Sequence, residues 1–233
     1  ESIGVHPHMA DLETGDYGNL PTDFTHLVHF AAWQGPTPDY DRSIRANAEA
    51  TGLIMAHCRH ATAALVASTN SVYRPHADPW HAYVETDPLG NPTVPHSPTY
   101  AVSKVGQEAV ARTMARALGL PTTIARINAS YGPNGGLPAY HCDAIAARRA
   151  VPLRSPDRSP YSPIHEDDLA AQVAPLLDAA ASPATIVNWC GDETVTAEQW
   201  CALFGERLGV EPELAYYDLP GSQPGSAADP TKR

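Results

Sequence analysis

The sequence predicts an α/β protein built on a doubly wound parallel sheet. Short apolar runs alternate along the chain with longer helical patterns, an order that is typical of parallel sheets. The helical stretches are long enough to make right-handed crossovers between neighbouring strands. A third observation concerns function: one of the long helical patterns opens with Tyr100 and Lys104, one helical turn apart.

The first half of the chain predicts two strands, a helix between them and a long irregular segment. The apolar runs are of the buried parallel-strand kind. The Pro-rich segment before Tyr100 is longer than an ordinary connection, which is more typical of a functional loop. In order, the predictions are a strand end at 1–10, a polar connection at 13–25, a strand at 27–32, a loop at 35–41, a helix at 42–60, a strand at 64–68 that runs into 69–73, and an irregular segment at 74–99.

The second half predicts four helices and two strands. Gly119 and Gly209 stand where a left-handed residue is expected after a helix, and Thr196 and Gln199 have the spacing of a capping box. In order, the predictions are a helix at 100–118, a strand at 122–127, a Pro-rich segment at 134–163 with a short helix at 140–149, a helix from about 164 to 181 with an acidic first turn, a strand at 185–190, a helix from 196 to 208, and a loop from 217 onward.

Composition excludes several classes of function. Lys and Arg number 15 against 26 Asp and Glu, which gives a net charge of −11. This balance disfavours binding to nucleic acid or to anionic membranes. No apolar run approaches the roughly 18 residues that a membrane span requires, and residues 1–6 do not resemble a signal peptide. We therefore expect a cytoplasmic protein.

The cysteines and histidines predict neither disulfides nor a metal site. The four cysteines are widely spaced and form no Cys-x-x-Cys, so buried free thiols in a reducing compartment are expected. The eleven histidines include the close pairs His6 with His8 and His57 with His60, but neither pair has a convergent set of further ligands. We expect no bound metal.

Tyr100 and Lys104 form a candidate acid–base pair. A nearby ammonium stabilises a phenolate, so it should lower the pKa of the tyrosine from its free value of about 10. A tyrosine tuned in this way can exchange a proton with an alcohol or carbonyl oxygen near neutral pH. Lys104 is one of only two lysines in the chain, so a chance Tyr-x-x-x-Lys match is infrequent. An exposed pair on a helix surface is the alternative.

Three predicted strands end in residues that could form a site. Ligands of open α/β sheets bind at the carboxyl ends of the strands, so these residues can converge on one crevice. The Thr69 hydroxyl could instead cap backbone at its strand end, and Asp167 and Asp168 are better explained as electrostatic helix caps. The strand-end residues are Ala31-Ala32, Ser68-Thr69 and Ile127-Asn128.

Together these residues resemble the extended short-chain dehydrogenase/reductase family and, within it, the NAD-dependent epimerase/dehydratase group. Tyr100 and Lys104 match the family's Tyr-x-x-x-Lys, and Thr69 in Ser-Thr-Asn-Ser-Val-Tyr falls at its catalytic Ser/Thr. Order and spacing agree over nearly the whole chain. The other matches are Asp11-Leu12 with GDL, Leu27 to Ala32 with VFHLAA, Asn47 with the Asn of N-V-x-G-T, Ile164 to Leu169 with FIHVDDLA, and Val187 to Gly191 with YNVGG.

The resemblance implies a Rossmann-like sheet and a smaller substrate-binding part. It implies a dinucleotide-binding domain at 1–130 and a substrate-binding part at 131–233, of which 164–191 returns to the sheet. The cofactor would be NAD or NADP. Its implied contacts are Asp11, Leu12, Phe30, Ala31, Ala32, Asn47, Ala67, Ser68, Tyr100, Lys104 and Ile127, and the implied substrate contacts are Thr69, Asn70, Ser71 and Asn128.

The implied activity is that of an NAD(P)-dependent oxidoreductase or epimerase. Its small-molecule substrate would be a secondary alcohol or ketone, including one carried by a sugar nucleotide. Tyr100 would be the acid/base, Lys104 would lower its pKa and hold the nicotinamide ribose, and Thr69 would hydrogen-bond the substrate oxygen. A non-catalytic dinucleotide-binding redox sensor with a protein partner is the alternative, which the retained Tyr100 and Lys104 disfavour. A homodimer is left open.

The chain departs from the family pattern at the phosphate-binding loop. No Gly-x-x-Gly-x-x-Gly is present, and the glycines at 132–136 are not expected to replace it, because they follow the wrong strand and Pro138 should interrupt the helix there. In the family this loop precedes the position of Asp11. We therefore expect the sequence to be an incomplete copy of a longer protein that has two further βαβ steps, roughly 60 residues, at the front.

Two departures concern the substrate. Asn70 and Ser71 stand where dehydratase relatives carry an acid and a base, so loss of water is disfavoured and hydride transfer alone is favoured. Ala129 stands where the family usually has an asparagine three residues after its arginine. Asn128 is the candidate replacement.

Overall fold

The centre of the structure is a four-stranded parallel sheet, which confirms the predicted fold class. The computed structural model describes residues 4–154, 159–217 and 219–233. In the described residues the strands are β1 (His26–His29), β2 (Ala63–Thr69), β3 (Thr122–Ile127), β4 (Ser130–Gly132), β5 (Gly135–Gly136), β6 (Val151–Leu153), β7 (Pro160–Tyr161), β8 (Ile164–His165), β9 (Thr185–Trp189), β10 (Val195–Thr196) and β11 (Leu214–Tyr216). The central sheet has the order β1-β2-β3-β9, so the carboxyl ends of its strands share one edge.

The helices include the predicted Tyr100 helix with its predicted ends. It stops at Gly119, which has a φ of 64°, and the last helix begins with the expected capping box between Thr196 and Gln199. Within the described ranges, none of the helices combines the length and apolar character needed to cross a membrane. The helices are α1 (Tyr40–Ile44), α2 (Ala50–His57), α3 (Tyr100–Leu118), α4 (Leu137–Ala146), α5 (Glu166–Asp178) and α6 (Ala197–Leu208).

Helices cover both faces of the sheet. On one face Val66 and Ile124 pack with Met55 of α2, and on the other Leu65 packs with Leu176 of α5. Neighbouring side chains of a strand point to opposite faces, so Leu65 and Val66 serve different cores. All seven residues of β2 are buried, which explains why its first five residues form a continuous apolar run rather than an alternating pattern.

A third apolar cluster holds α4 against α6. Ile145 of α4 packs with Val151 and Leu153 of β6 and with Trp200 and Cys201 of α6. The same region contains the parallel pairing of β6 with β11. This cluster fixes the position of α4 at the edge of the sheet where the strands end.

Some local predictions are wrong. Residues 4–10 form no strand, because no described neighbour is available to pair with them; residues 1–3 lie outside the described residues. The predicted helix at 42–60 is a series of α1, a π-helical turn at Arg45–Glu49, and α2. The helix predicted from about 164 is α5, which starts only after the short strand β8. Strand β11 was not predicted.

The prediction that Pro138 interrupts a helix is also wrong. Helix α4 begins at Leu137 rather than Tyr140, and Pro138 occupies its first turn. The first N–H groups of a helix have no intrahelical partner, so a proline there loses no hydrogen bond. The glycines before it serve the β4–β5 turn that leads into α4.

We expect Gly136 to be indispensable for this turn. Its φ is 100°, and a Cβ there would lie 1.9 Å from the carbonyl oxygen of Ser130. Gly136→Ala should therefore lower the free energy of unfolding by about 3 kcal/mol, measured by chemical denaturation. Gly119→Ala is the matched control: φ is also positive but the surrounding space is open, so the loss should be about 1 kcal/mol. Equal losses would contradict the prediction.

Candidate functional site

Helix α3 places Tyr100 and Lys104 beside the carboxyl end of β2. Lys104 is 2% exposed, and its Nζ donates a 2.7 Å hydrogen bond to the carbonyl oxygen of Ala67. The Lys104 Nζ lies 6.0 Å from the centroid of the Tyr100 ring. Because β2 ends two residues after Ala67, the pair stands at the edge of the sheet where a ligand is expected.

The hydroxyl group of Tyr100 meets two polar side chains. Those of Thr69 and Gln34 lie within hydrogen-bonding reach of it. Burial raises the pKa of Tyr100, and the hydrogen bonds to Thr69 and Gln34 oppose the rise. Burial likewise lowers the pKa of Lys104 to about 8, while the Glu108 charge acts in the opposite direction.

The expected lowering of the Tyr100 pKa by Lys104 is therefore not found. The ammonium is directed at the carbonyl of Ala67, and desolvation of the phenol dominates. Tyr100 is consequently a neutral phenol near pH 7. In this protonated form it is a proton donor.

A buried ion pair lies one turn further along α3. Glu108 and Arg126 of β3 are both 2% exposed at the side chain, with Nη2 and Oε2 2.7 Å apart and Nε and Oε1 2.9 Å apart. The Ser68 hydroxyl donates to the same Oε1 at 2.6 Å. Helix α3, β2 and β3 are thus joined by one bidentate, charge-assisted contact.

Arg126 also anchors the irregular segment at 74–99. Its Nη1 donates to the carbonyl oxygen of Glu85 at 3.1 Å, and its guanidinium lies 4.7 Å from the centroid of the Tyr73 ring. The Tyr73 hydroxyl in turn donates to Oδ1 of Asn188 in β9 at 2.7 Å. The long segment is therefore an ordered part of the site.

Asn47 is buried and bonded to other protein groups, so it is not exposed to a ligand. It is fully buried: its Oδ1 accepts from the backbone N–H of Trp33 at 2.6 Å, and its Nδ2 donates to the Trp33 carbonyl and to Oγ of Ser103. The π-helical turn at Arg45–Glu49 carries this residue. Asn47 thus fastens the segment after β1 to α3.

A cavity of about 520 Å³ opens at this edge of the sheet, and it gathers most of the predicted site residues. Asp11, Leu12, Ala31 and Asn47 do not line it. Asp11 caps its own turn by accepting the N–H of Glu13, and Leu12 packs against the core. The predicted residues that line the cavity are Phe30, Ala32, Ala67, Ser68, Thr69, Asn70, Ser71, Tyr100, Lys104, Ile127 and Asn128.

The segment near the C-terminus closes one side of the cavity. Asn70 donates through Nδ2 to Oγ of Ser226 at 2.9 Å, and Asn128 donates to the Ser226 carbonyl oxygen. Gln223, which also lines the cavity, donates to the carbonyl of Tyr73. This polar, Gly- and Pro-rich segment has no periodicity, so the sequence carried no signal for its place in the site.

The far wall of the cavity was also missed. Arg154 donates to the carbonyl of Thr93 at 3.3 Å and lies 5.6 Å from the Tyr217 ring centroid. Among the described residues, the cavity is lined by one lysine, Lys104, and one arginine, Arg154. None of the described lining residues is an Asp or a Glu. Other lining residues that the sequence did not indicate are His96, His141, Tyr161, Tyr217, Gln223 and Ser226.

The cysteines are free thiols, as expected, and three of the four are buried. Across the ranges that the structure describes, no group of three or more His, Cys, Asp or Glu side chains could hold a metal ion.

The chain belongs to the NAD dependent epimerase/dehydratase family. The family model matches residues 16–188, well over half of the chain. This match agrees with the resemblance found in the motifs around Thr69, Tyr100 and Lys104. No curated protein sequence matches the chain significantly.

Solved structures confirm the fold. The UDP-glucose 4-epimerase of Thermus thermophilus, in complex with NAD, is 23% identical with a TM-score of 0.70; the match covers 89% of this chain and 70% of that one. A double mutant of dTDP-glucose 4,6-dehydratase from Streptomyces venezuelae is 23% identical with a TM-score of 0.74, over 90% and 66%. The UDP-glucuronic acid 4-epimerase of Bacillus cereus is 19% identical with a TM-score of 0.77, over 96% and 70%.

We expect the Glu108–Arg126 pair to be strongly coupled. Glu108→Met or Arg126→Met alone leaves a buried charge without its partner, at a cost of about 3–5 kcal/mol in the free energy of unfolding. The double variant removes both charges and should lose much less than the sum of the single losses. A double-mutant cycle by chemical denaturation measures this, and additivity within about 0.5 kcal/mol would refute the coupling.

Proposed function

We propose that the protein is an NAD(P)-dependent epimerase or oxidoreductase that acts on a secondary alcohol or ketone of a sugar nucleotide by hydride transfer. The observation that carries the proposal is the convergence of Tyr100, Lys104 and Thr69 on one cavity at the carboxyl edge of a parallel sheet. Membership of the family supports the reaction class. The solved neighbours include complexes with NAD and with UDP-glucuronic acid, which supports the ligand class.

The cavity suits the nicotinamide half of a dinucleotide. Among the described residues the Lys104 ammonium has one hydrogen-bond partner, the Ala67 carbonyl, so two further N–H groups are free for ribose hydroxyls. Phe30 and Ala32 supply apolar wall beside it. When bound, NAD(P) would take a hydride from the substrate carbon and give it back. A Gly-rich loop for the pyrophosphate is not part of this sequence.

Tyr100 would move the proton that accompanies the hydride. As a neutral phenol it would donate its proton to a carbonyl oxygen during reduction, and as the phenolate it would take the proton of the alcohol during oxidation. The Thr69 hydroxyl, within reach of the Tyr100 hydroxyl, would hydrogen-bond the same substrate oxygen. The Lys104 ammonium would stabilise the phenolate when it forms. An epimerase returns the hydride to the opposite face of the carbon.

The lining chemistry favours hydride transfer without elimination. Removal of water needs a base for a carbon-bound proton and an acid for the leaving hydroxyl. Asn70 and Ser71, at the expected positions, supply neither, and the described residues place no carboxylate on the cavity wall. The Asn70 amide is instead bonded to Ser226.

Substitution of Tyr100 tests the acid/base assignment. Tyr100→Phe should retain the fold and cofactor binding but reduce turnover by about 10²–10⁴, the usual contribution of a positioned acid or base. Tyr140→Phe is the matched control, because Tyr140 is 62% exposed and does not line the cavity. A loss below tenfold for Tyr100→Phe would return the pair to a structural role.

The reaction type is tested by product analysis. We expect incubation with NAD and nucleotide sugars to give epimerised or oxidised products without elimination. Mass spectrometry of the products should therefore show no loss of water. A dehydrated product would show that elimination occurs. Binding of NADH without turnover of any nucleotide sugar would instead favour the redox-sensor function.

A further inference from the structure

Helix α4 presents a buried histidine to the far end of the cavity. Leu137 and His141 are four residues apart, so they share one face of the helix, and both line the cavity. His141 is 7% exposed. The proposed acid–base chemistry uses none of its atoms.

The structure fixes which nitrogen of His141 carries the proton. Nε1 of Trp200, on α6, donates a 3.0 Å hydrogen bond to Nδ1 of His141. An indole N–H is a donor only, so Nδ1 must be the acceptor and the proton of the neutral ring must be on Nε2. The Cys201 Sγ lies 3.9 Å from the same Nδ1, and burial raises the pKa of this thiol to about 12, so it too stays protonated.

The ring therefore remains a neutral donor over the ordinary pH range. Burial lowers the pKa of His141 to about 4. In the part of the chain that the structure describes, both hydrogen-bond partners of the ring lie at Nδ1, and Nε2 has none. A ligand that enters this end of the cavity can satisfy it.

The surroundings indicate the kind of oxygen that would accept this hydrogen bond. The cavity wall beside His141 is formed by Leu137, Leu153 and Tyr161. Arg154, which also lines the cavity, is a separate and charged donor. An anionic phosphoryl oxygen is best matched by a charged donor, and a neutral N–H in an apolar wall suits a neutral acceptor.

We propose that Nε2–H of His141 donates a hydrogen bond to a neutral oxygen of the substrate, a carbonyl or a hydroxyl, and thereby selects substrates that carry one at this point. The proposal rests on the proposed function, in which the cavity holds a sugar nucleotide. Trp200 acts as a positioning residue, because it holds the ring in the tautomer that donates.

Nuclear magnetic resonance tests the tautomer directly. In protein labelled with ¹⁵N-histidine, we expect the His141 spectrum to show a bare Nδ1 and a protonated Nε2. Trp200→Phe keeps an aromatic ring but removes the indole donor, so the two tautomers should then exchange. A wild-type ring protonated on Nδ1 would overturn the proposal.

A pair of nearly isosteric variants tests the hydrogen bond to substrate. The terminal amide of His141→Gln can donate from about the position of Nε2, whereas His141→Met cannot. We expect His141→Gln to bind UDP-glucose within about threefold of wild type and His141→Met to bind it about tenfold more weakly. Thermal denaturation of both variants controls for folding.

Binding measurements with different ligands locate the oxygen that accepts the His141 hydrogen bond. They also separate this inference from the proposed function. A loss with both UDP and UDP-glucose assigns the acceptor to the uridine, in its base or its ribose, and a loss with UDP-glucose alone assigns it to the glucose. Weaker binding of inorganic pyrophosphate to His141→Met would overturn the neutral acceptor. Equal affinities of the two variants contradict this inference alone, whereas no binding of either nucleotide to the wild type contradicts the proposed function as well.

Discussion

The site depends on the buried ion pair between Glu108 and Arg126. Neither charge can be left alone in a protein interior, so α3 and β3 must approach in the one register that brings carboxylate and guanidinium together. Tyr100 and Lys104 lie two turns and one turn before Glu108 on the same helix, so that register also determines where the acid–base pair stands. Because Ser68 joins the same carboxylate, the end of β2 is set by the contact as well.

The sequence was sufficient for the parts of the structure that follow from local pattern. Strand β3 and helix α3 have their predicted bounds, because a short run rich in β-branched residues marks the strand and the left-handed Gly119 marks the end of the helix. Tyr100, Lys104 and Thr69 share a cavity because strand ends of a parallel sheet lie at one edge. The π-helical turn at Arg45–Glu49 could not be recognised from the sequence, because a single wider turn barely changes the spacing of the hydrophobic residues.

Features set by tertiary packing could not be predicted from the sequence. The raised pKa of Tyr100 depends on burial, which the four-residue spacing does not report. His141 and Arg154 come to the cavity through the packing of α4 on α6 and through a long irregular chain path, neither of which has a sequence period. Asn47 fits a family motif, yet its hydrogen bonds all go to neighbouring protein groups, which only coordinates reveal.

The contact of Asn70 with Ser226 has a consequence for the order of folding. It joins residues 156 positions apart, and Asn128 reaches the same serine across 98 positions. Closing such long loops costs conformational entropy, so these contacts form slowly. The pairing of β2 with β3 spans far less chain and costs less. A ribosome also releases residue 226 after all four strands of the central sheet, and long after β1, β2 and β3. The cavity wall is therefore completed late, and a nascent chain has its central strands before it has an enclosed site.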